Sequence, residues 1–396
     1  MGVRDAIGAF AVATVVSWLA TPVSAMLARR VGVIHVPRER DLHERPTPGL
    51  GGLAILAAVL VATAVFLPLR GEYLGILAGA VAITLLGAVD DRVDLHPAAK
   101  LAGQTAAATL PVAAGVYVDH VTLPFLGAFD LGPAGPPLTV IGVVAVVNAV
   151  NWTDGVDGLA AGVCLIAALT FAVLALSLDR DAAGVLAALT AGAAAGFLWH
   201  NFHPASVFMG DAGSNLLGLL LACVAIQGVL KTAAVVALFF PLMVLAVPAA
   251  DATFVIAKRI KYRRPVYSAD RWHFHHRFAN IGFSQRRTVL YLYGWSLSLA
   301  ALALALRFVP YSDEAGRLHP GWSAVLGVFA LAALVASVYV VYVLEILKFR
   351  RWRERQLRRQ VETGEIPPLS ADQIKREIAR EIETGEFEAV GGNGRG

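Results

Sequence analysis

The sequence predicts an all-α protein that crosses a membrane many times, and three observations support this fold class. Of its 396 residues, 57% are hydrophobic and only 16% are charged, whereas soluble domains carry roughly a quarter charged residues. The apolar runs have the length of a membrane-spanning helix, which needs about 20 mainly apolar residues. Because these runs lack the polar–apolar alternation of a strand, they exclude a closed barrel, the other structure that satisfies its backbone in lipid.

Eleven apolar runs are candidate spans by the hydropathy rule. The first is too long for a cleavable signal and is followed by Arg29 and Arg30, so it is predicted to remain as a span. The fifth run is short, and the eighth and ninth are nearly fused, so the count is eleven to within one. In chain order the predicted spans are residues 6–28, 51–68, 72–89, 98–118, 137–150, 158–178, 183–199, 213–230, 232–256, 289–308 and 322–346.

The distribution of Lys and Arg predicts the orientation of these spans. With the C-terminus in the cytoplasm, the cytoplasmic connections and the C-terminal tail hold 27 of the 33 Lys and Arg residues, as the positive-inside rule requires. The N-terminus is then outside, and the protein is predicted to lie in the inner membrane of a bacterium. Topology also explains the net charge of +4, so no nucleic-acid partner is expected.

Two domains are predicted: a transmembrane catalytic domain over 1–347 and a cytoplasmic tail over 348–396, partly helical or disordered. The tail begins with the basic run KFRRWRERQLRR, which suits the anionic inner leaflet. Ser370 and Gln373 have the spacing of a capping box. The helix that would follow places Ile374, Ile378 and Ile382 on one face. A solvated regulatory or disordered segment is the favoured interpretation of the Glu- and Gly-rich tail.

Polar residues that are unusual beside membrane spans cluster on four connections, all on the predicted cytoplasmic side. They are Asp90, Asp91 and Asp94 after span three, Asn148, Asn151, Asp154 and Asp157 after span five, His200, Asn201, His203 and Asp211 after span seven, and His273, His275, His276 and Arg277 in the largest loop. The opposite connections carry no comparable cluster. The sequence therefore predicts one active site on the cytoplasmic face.

Asp90 and Asp91 end an apolar span, where a charge is costly unless it is paired or bound to a metal. Adjacent carboxylates suppress each other's ionisation unless a cation is near, so the pair suits metal binding or proton abstraction. Lys100 and Gln104 follow on the next span. Solvation of the acids by lipid headgroups is the simpler alternative, and it explains one acid better than two.

Two glycine-containing segments add candidate ligands. The segment NWTDGVDGLAAG has no Lys or Arg to neutralise Asp154 and Asp157. Capping of span six by Asp157 leaves Asn151 and Asp154 unexplained. In FMGDAGSN, Asp211 is equally well explained as an N-cap and, with Ser214, as part of a phosphate or metal site at a helix start.

The run HFHHR (273–277) lies in a loop rich in basic residues. Zinc is the rival interpretation, but the loop has no cysteine and no helical His pair with Glu. A cationic pocket for a diphosphate fits better, with Arg277 as a bidentate donor. Acids for an oxygen-preferring cation beside a basic loop indicate magnesium-dependent phosphoryl transfer, and one substrate must be a lipid because the site lies at the membrane.

Five blocks in this order resemble the polyprenyl-phosphate N-acetylhexosamine-1-phosphate transferases, a glycosyltransferase 4 family. The blocks are HERPTPGLGGLAI (43–55), DDRVDLHPAAKLAGQ (90–104), NAVNWTDGVDGLAAG (148–162), NFHPASVFMGDAGSN (201–215) and ADRWHFHHR (269–277). The HHR ending and the span count make the chain more similar to the WecA/TagO branch than to MraY, the peptidoglycan translocase. Gly49 departs from the family, in which many members have a basic residue there.

The resemblance implies transfer of a sugar 1-phosphate, N-acetylglucosamine 1-phosphate by default, from a UDP-sugar to undecaprenyl phosphate, with release of UMP. This step would initiate synthesis of a cell-envelope polysaccharide. The implied metal is magnesium, with manganese as the alternative. The resemblance implies Asp211 as the metal ligand, with Asn151 and Asp154 as further metal candidates, and Asp90, Asp91, His273, His275, His276 and Arg277 as catalytic residues. It implies substrate contacts for Lys100, Asn151, Asp154, Asp157, Asn201 and Phe208, with Phe208 against uracil.

Several alternatives stay open. Another UDP-N-acetylhexosamine would need the same chemistry, and a route through an aspartyl intermediate at Asp90 or Asp91 is the alternative to direct displacement. Asp251 fits the family's acid near the ninth span, and a structural role there is as good. An ion-coupled transporter would place acids near mid-span, and a scaffold would leave the polar clusters without a role. The oligomeric state is open, with a homodimer as one expectation.

Overall fold

The computed structural model describes residues 1–36, 46–123, 127–230, 284–311 and 319–339, with short stretches and single residues near 245–253 and 353–377. Ten α-helices form most of this described part: α1 (Val3–Val31), α2 (Gly51–Phe66), α3 (Glu72–Val93), α4 (Pro97–Ala113), α5 (Gly135–Thr153), α6 (Leu159–Ser177), α7 (Asp181–Asn201), α8 (Gly210–Ala225), α9 (Gln285–Phe308) and α10 (Pro320–Val338). A π-helical turn, Ile226–Leu230, continues α8.

Two short antiparallel strand pairs, which were not predicted, lie between helices. β1 (Ile34–His35) pairs with β2 (Thr47–Pro48) between α1 and α2. β3 (His120–Leu123) pairs with β4 (Gly127–Asp130) between α4 and α5. Both pairs are too short to form a layer of their own.

The described helices confirm an all-α membrane protein with many spans. Eight helical segments are long and apolar enough to cross a membrane, and α2 is a shorter apolar helix. With α4, the ten helices overlap ten of the predicted spans. The predicted ninth span, 232–256, lies outside the described residues apart from single positions, so the total of eleven stays a prediction.

Helix ends follow ordinary capping chemistry. Gly32 (φ 77°) closes α1 in the left-handed conformation, which glycine adopts without strain. At the start of α4, Pro97 occupies the first turn and the Nδ1 atom of His96 accepts a hydrogen bond from the Ala98 N–H at 3.3 Å. Proline is favoured there because its missing N–H would have no partner in the helix.

The prediction that the polar clusters lie in loops is wrong for most of them, because the helices continue past the apolar runs. Asp90 and Asp91 lie in the last turns of α3, and Asn148 and Asn151 lie in α5, which is longer than the predicted span 137–150. Likewise, α7 includes Asn201 and the preceding histidine. Hydropathy falls where polar side chains begin, but backbone hydrogen bonding continues when neighbouring helices supply partners for those side chains.

The core lies around α8, in which 89% of the most apolar stretch is buried. Close contacts depend on glycines: a Cβ atom added at Gly192 or Gly196 of α7 would lie 2.2 Å from the carbonyl oxygen of Phe10 or Thr14 of α1. Small residues of this kind let membrane helices approach closely. By contrast, only 11% of the most apolar stretch of α10 is buried, as expected for a helix at the periphery.

The alternating direction of the helices places the polar clusters at one end of the bundle. The last turns of α3, α5 and α7, the first turns of α4 and α8, and the connections that follow α3, α5 and α7 carry these residues. Hydrogen bonds connect several of these ends, as between Asp91 and the Asp211 N–H and between Asn201 and the Gly158 N–H. This end of the bundle is called the polar end below.

The predicted capping box in the tail is confirmed. The Ser370 N–H donates to Gln373 Oε1 at 2.8 Å, and the Gln373 N–H donates to Ser370 Oγ at 3.2 Å. Ile374 follows in helical conformation and is buried. Ile378 and Ile382 lie outside the described residues, and the domain boundary at residue 347 stays a prediction.

Candidate active site

Lys100 joins two acids from different helices at the centre of the polar end. Its Nζ atom lies 2.9 Å from Asp90 Oδ2, at the end of α3, and also contacts Asp211 Oδ2, at the start of α8. The Asp90 side chain is only 8% exposed, and its other oxygen accepts the Leu95 N–H at 2.7 Å. Because a buried charge is costly without a partner, the lysine fixes three helix ends around one cation.

Asp91 has a different environment from its neighbour. Its Oδ1 atom accepts the Asp211 N–H at 2.8 Å and its Oδ2 atom accepts the Ala212 N–H at 3.2 Å. The carboxylate thus satisfies free N–H groups in the first turn of α8 and faces the positive end of its dipole. Gly210 (φ +69°) allows this approach, since a Cβ atom there would lie 2.4 Å from Asp91 Oδ2.

Asp211 lies inside the first turn of α8, with Met209 at the N-cap position, so the alternative that Asp211 is the N-cap is wrong. The Nδ2 atom of Asn151 donates to Asp211 Oδ1 at 2.8 Å and to Ser214 Oγ at 2.9 Å. Asn151 and Lys100 therefore orient one Asp211 oxygen each. The structure brings these residues together as predicted.

Asp154 follows α5 and is half-buried beside the same cluster. Burial and the negative charges of Asp211, Asp91 and Asp157 raise the pKa of Asp154 to about 8. Its ionised form is therefore disfavoured in the protein alone. A cation at this position would remove that penalty.

Asp157 and Asn201 connect the two loops at this end. Asp157 Oδ2 accepts hydrogen bonds from the Ala205 N–H at 3.0 Å and lies 2.9 Å from His203 Nδ1. Asn201 accepts the Gly158 N–H and donates to the Val207 carbonyl, each at 3.0 Å. Asp157 does not cap α6, because Gly158 takes that position. The predicted nucleotide contacts of Asp157 and Asn201 stay predictions.

Phe208 lies where the β1–β2 pair meets the start of α8. Its N–H donates to the Pro48 carbonyl at 2.9 Å, and its carbonyl accepts the Gly51 N–H at 3.0 Å. The His35 ring meets the Phe208 ring edge-on, with centroids 5.6 Å apart. A Cβ atom on Gly49 would lie 2.9 Å from His35 Nε2, so a larger residue there would require the histidine ring to move.

The predicted anion-binding loop lies outside the described part of the chain. Its candidate residues are His273, His275, His276 and Arg277. Asp251 also lies outside the described residues. Their catalytic and phosphate-binding roles stay predictions.

Two residues of α9 were missed by the sequence reasoning. The Tyr293 hydroxyl donates to the Gly158 carbonyl, and Arg286 Nε donates to the His203 carbonyl at 3.2 Å. Gly162 makes room for the tyrosine, since a Cβ atom there would lie 2.0 Å from its hydroxyl oxygen. A tyrosine inside an apolar run was the available signal, because a buried hydroxyl needs a partner.

The donor set at the polar end fits magnesium. Among the described residues no group of three or more His, Cys, Asp or Glu side chains is arranged to hold a metal ion. Magnesium does not need one, because it usually binds one or two carboxylates together with substrate phosphates and water. Asp211 and Asp154 offer oxygen atoms only, and the shifted pKa of Asp154 indicates negative charge that the protein itself leaves uncompensated.

Comparison with known proteins supports a common origin with membrane transferases. The profile of Glycosyl transferase family 4 matches residues 73–229, which include α3 to α8. A Bacillus subtilis (strain 168) protein named "Probable undecaprenyl-phosphate N-acetylglucosaminyl 1-phosphate transferase" is 36% identical over 302 residues, 75% of this chain and 84% of the relative.

Two further relatives differ in the reaction that their names give. Decaprenyl-phosphate N-acetylglucosaminephosphotransferase of Mycobacterium leprae (strain TN) is 39% identical over 315 residues, 72% of this chain and 79% of the relative. Phospho-N-acetylmuramoyl-pentapeptide-transferase of Desulforudis audaxviator (strain MP104C) is 36% identical over 300 residues, 67% of this chain and 86% of the relative. Since these similarities extend over most of each protein and include the helices that build the polar end, the chain belongs to glycosyl transferase family 4.

Proposed function

We propose that this membrane enzyme transfers N-acetylglucosamine 1-phosphate from UDP-N-acetylglucosamine to undecaprenyl phosphate and releases UMP. The names of relatives at 36–39% identity support the sugar phosphate and a polyprenyl acceptor, undecaprenyl in one case and decaprenyl in another. The structural observation that supports the proposal most directly is the cluster of Asp90, Lys100, Asn151 and Asp211, built from the ends of four helices.

Asp90 is the acid that we assign to the acceptor phosphate. Its carboxylate contacts Lys100, whose ammonium group can also attract a phosphate. Asp91 has both oxygens bonded to backbone N–H groups of α8, so we assign it to holding the start of that helix. We favour direct attack by the acceptor phosphate on the donor's β-phosphorus over an aspartyl intermediate, because Lys100 and the N–H groups of α8 hold the two acids in place and a single displacement needs no movement of either.

In this reaction a new bond forms between an acceptor phosphate oxygen and the β-phosphorus, while the bond from that phosphorus to the oxygen of UMP breaks. Catalysis then consists mainly of positioning and charge stabilisation. Lys100 lies between the acids and holds a positive charge at a fixed place. Asn151 fixes the orientation of Asp211.

Magnesium, with manganese as the alternative, is the proposed metal, and Asp211 and Asp154 would hold it. When bound, the metal supplies charge neutralisation for the diphosphate and the leaving UMP. The Asn151 amide nitrogen donates to Asp211, so we propose that Asn151 orients the ligand instead of binding the metal.

The donor's nucleotide is proposed to contact Phe208 and the Asp154–Asp157 loop, with the His273–Arg277 segment on the pyrophosphate and sugar. Lys and Arg asymmetry supports a cytoplasmic site in the bacterial inner membrane, where UDP-sugars are available. The product would initiate a cell-envelope polysaccharide.

A panel of UDP-sugars tests the substrate assignment. The full chain, purified in detergent, is supplied with undecaprenyl phosphate and one UDP-sugar at a time, and UMP and the sugar-linked lipid are measured. UDP-N-acetylglucosamine is expected to react fastest. Faster turnover of another UDP-N-acetylhexosamine would overturn the assignment of the sugar. If no donor releases UMP, the transferase proposal is overturned.

A further inference from the structure

Three amide side chains, of which two are buried and one is half-buried, form a layer beneath the acid–lysine cluster. Gln104 of α4 donates from Nε2 to Asn215 Oδ1 of α8 at 3.4 Å. Asn148 of α5 donates from Nδ2 to Gln104 Oε1 at 2.8 Å. Gln104 is 1% exposed and Asn215 is 0% exposed. These three residues are called the amide layer below.

The amide layer repeats the register of the cluster above it. Gln104 lies four residues after Lys100 in α4, and Asn215 lies four residues after Asp211 in α8. Both helices begin at the polar end, so both amides lie one turn deeper. α5 ends at the polar end, and Asn148 precedes Asn151 by three residues. Each member of the layer thus lies one turn beneath a cluster residue on the same helix.

The layer links two helices that otherwise share few contacts. α4 packs mainly against α3 and α5, and α8 packs against α3 and α5 as well. The Lys100–Asp211 ion pair and the Gln104–Asn215 hydrogen bond connect α4 to α8 directly. Lysine has a long flexible side chain, so the ion pair alone does not define the separation of these helices.

We infer that Gln104, Asn148 and Asn215 are positioning residues for the transfer step. They hold α4, α5 and α8 in the register that places Lys100 and Asn151 against Asp211. A hydrogen-bonded layer suits this purpose because separating hydrogen-bonded amides in a low-dielectric interior costs free energy. The inference rests on the proposed transferase function, and it adds three uncharged residues that lie one helical turn beneath the cluster.

Kinetics of Gln104→Leu test this inference in the full chain in detergent, with UDP-N-acetylglucosamine and undecaprenyl phosphate. The substitution keeps the size of the side chain but breaks the links to Asn148 and Asn215. We expect kcat to fall about tenfold to a hundredfold, as for a misplaced catalytic group, while KM for the donor stays within twofold. Thr105→Val, on the exposed face of the same helix, is the control and should keep the parent's kcat.

The double variant Gln104→Leu/Asn215→Leu separates positioning from stability. It removes both partners, so it leaves no orphaned amide between α4 and α8 and should regain most of the thermal stability lost in the single variant. Asn148 keeps its bond to the Val144 carbonyl. Under the inference, kcat of the double variant stays low although its thermal midpoint recovers.

Recovery of kcat together with the midpoint would overturn the inference, because the layer would then only stabilise the fold. An unchanged kcat in Gln104→Leu would overturn it as well. If Gln104→Leu does not fold, the double variant gives the same decision. Absence of product from the unmodified protein would instead overturn the proposed function, so the two failures are distinguishable.

Discussion

Adjacent acids with the same chemistry have different environments because their side chains contact different partners. Asp90 meets the Lys100 ammonium group at 2.9 Å, whereas Asp91 meets two backbone N–H groups at the start of α8. The Asp90–Lys100 ion pair, which we propose lies near the reacting atoms, can change as the substrate binds. A carboxylate that satisfies a buried helix end is part of the fold and cannot be released without cost.

Alanine at these two positions should therefore give different defects. Asp91→Ala leaves N–H groups of α8 without acceptors, at a cost of about 1–3 kcal/mol, and should lower the thermal midpoint as well as turnover. Asp90→Ala leaves Lys100 paired with Asp211 and frees one N–H group, that of Leu95, instead of two, so it should lower turnover with a smaller change in midpoint. Thermal unfolding in detergent and UMP release measure the two effects, and a larger midpoint loss for Asp90→Ala would contradict the assignment.

The pKa of Asp154 predicts how stability depends on pH without a divalent metal. Its pKa is about 8 in the folded protein and about 3.9 in an unfolded chain. The folded state therefore holds this proton more tightly than the unfolded chain. The stabilisation that results is fully present below about pH 4 and is lost as the pH rises towards 8.

In EDTA, the thermal midpoint of the parent should consequently decrease as the pH is raised from 5 to 8. The midpoint of Asp154→Asn should decrease less over the same range. Magnesium should restore the parent at pH 8 by favouring the ionised carboxylate. Identical pH profiles for the parent and Asp154→Asn would show that this carboxyl group is not the one that titrates.

Among the helices, the contact between α3 and α8 determines the geometry of the polar end. A Cβ atom on Gly87 of α3 would lie 2.4 Å from the backbone nitrogen of Ala212, and one on Gly52 of α2 would lie 2.2 Å from that of Gly213. Backbones of three helices thus meet where the acids are held. Such contact is available to glycine alone, since the opposing atoms are backbone and cannot rotate away.

Gly87→Ala should separate α3 from α8 and lower both the thermal midpoint and kcat. Gly142→Ala is the matched control, because it is also a helical glycine but has no atom within 4 Å of the added Cβ, so its midpoint should stay the same or rise slightly. Equal behaviour of the two variants in unfolding and in UMP release would contradict the proposed close contact.

The helical class and the residues of the cluster could be predicted from sequence because both depend on local signals. Apolar length marks a span, and Asp90, Asp91, Asn151 and Asp211 are conspicuous beside apolar runs. Hydropathy could not predict that these residues lie inside helices, because it records where apolar side chains stop and not where backbone hydrogen bonds stop.

The partners of these residues could not be predicted either, since they depend on helix packing. No spacing rule relates Asp91 to the Ala212 N–H, or Tyr293 to the Gly158 carbonyl. The same limit explains why Asp211 was open to interpretation as an N-cap, although Asp91, more than a hundred residues earlier in the chain, accepts hydrogen bonds from that turn.

For the whole molecule, the alternating helices gather all the described acids of the cluster at one end of the bundle. Lys and Arg residues predict that this end faces the cytoplasm. Cysteine labelling tests the orientation, because Cys164 and Cys223 are buried and should not react.

In intact cells, an impermeant maleimide should label Arg70→Cys, on the connection between α2 and α3. Thr363→Cys in the tail should react only after permeabilisation. Both positions are exposed. The reverse pattern would place the polar end outside, away from UDP-sugars.

We propose that Asp211 holds a divalent ion at a site where a sugar phosphate passes to a lipid phosphate. The test measures transfer of labelled sugar phosphate from UDP-N-acetylglucosamine to undecaprenyl phosphate, with magnesium and with EDTA. It compares the parent with Asp211→Asn, after unfolding measurements have shown that the two proteins have the same thermal midpoint. We expect transfer by the parent only with magnesium, and a loss of at least about a hundredfold in the variant. Magnesium-dependent transfer by Asp211→Asn at near the parent's rate would contradict it.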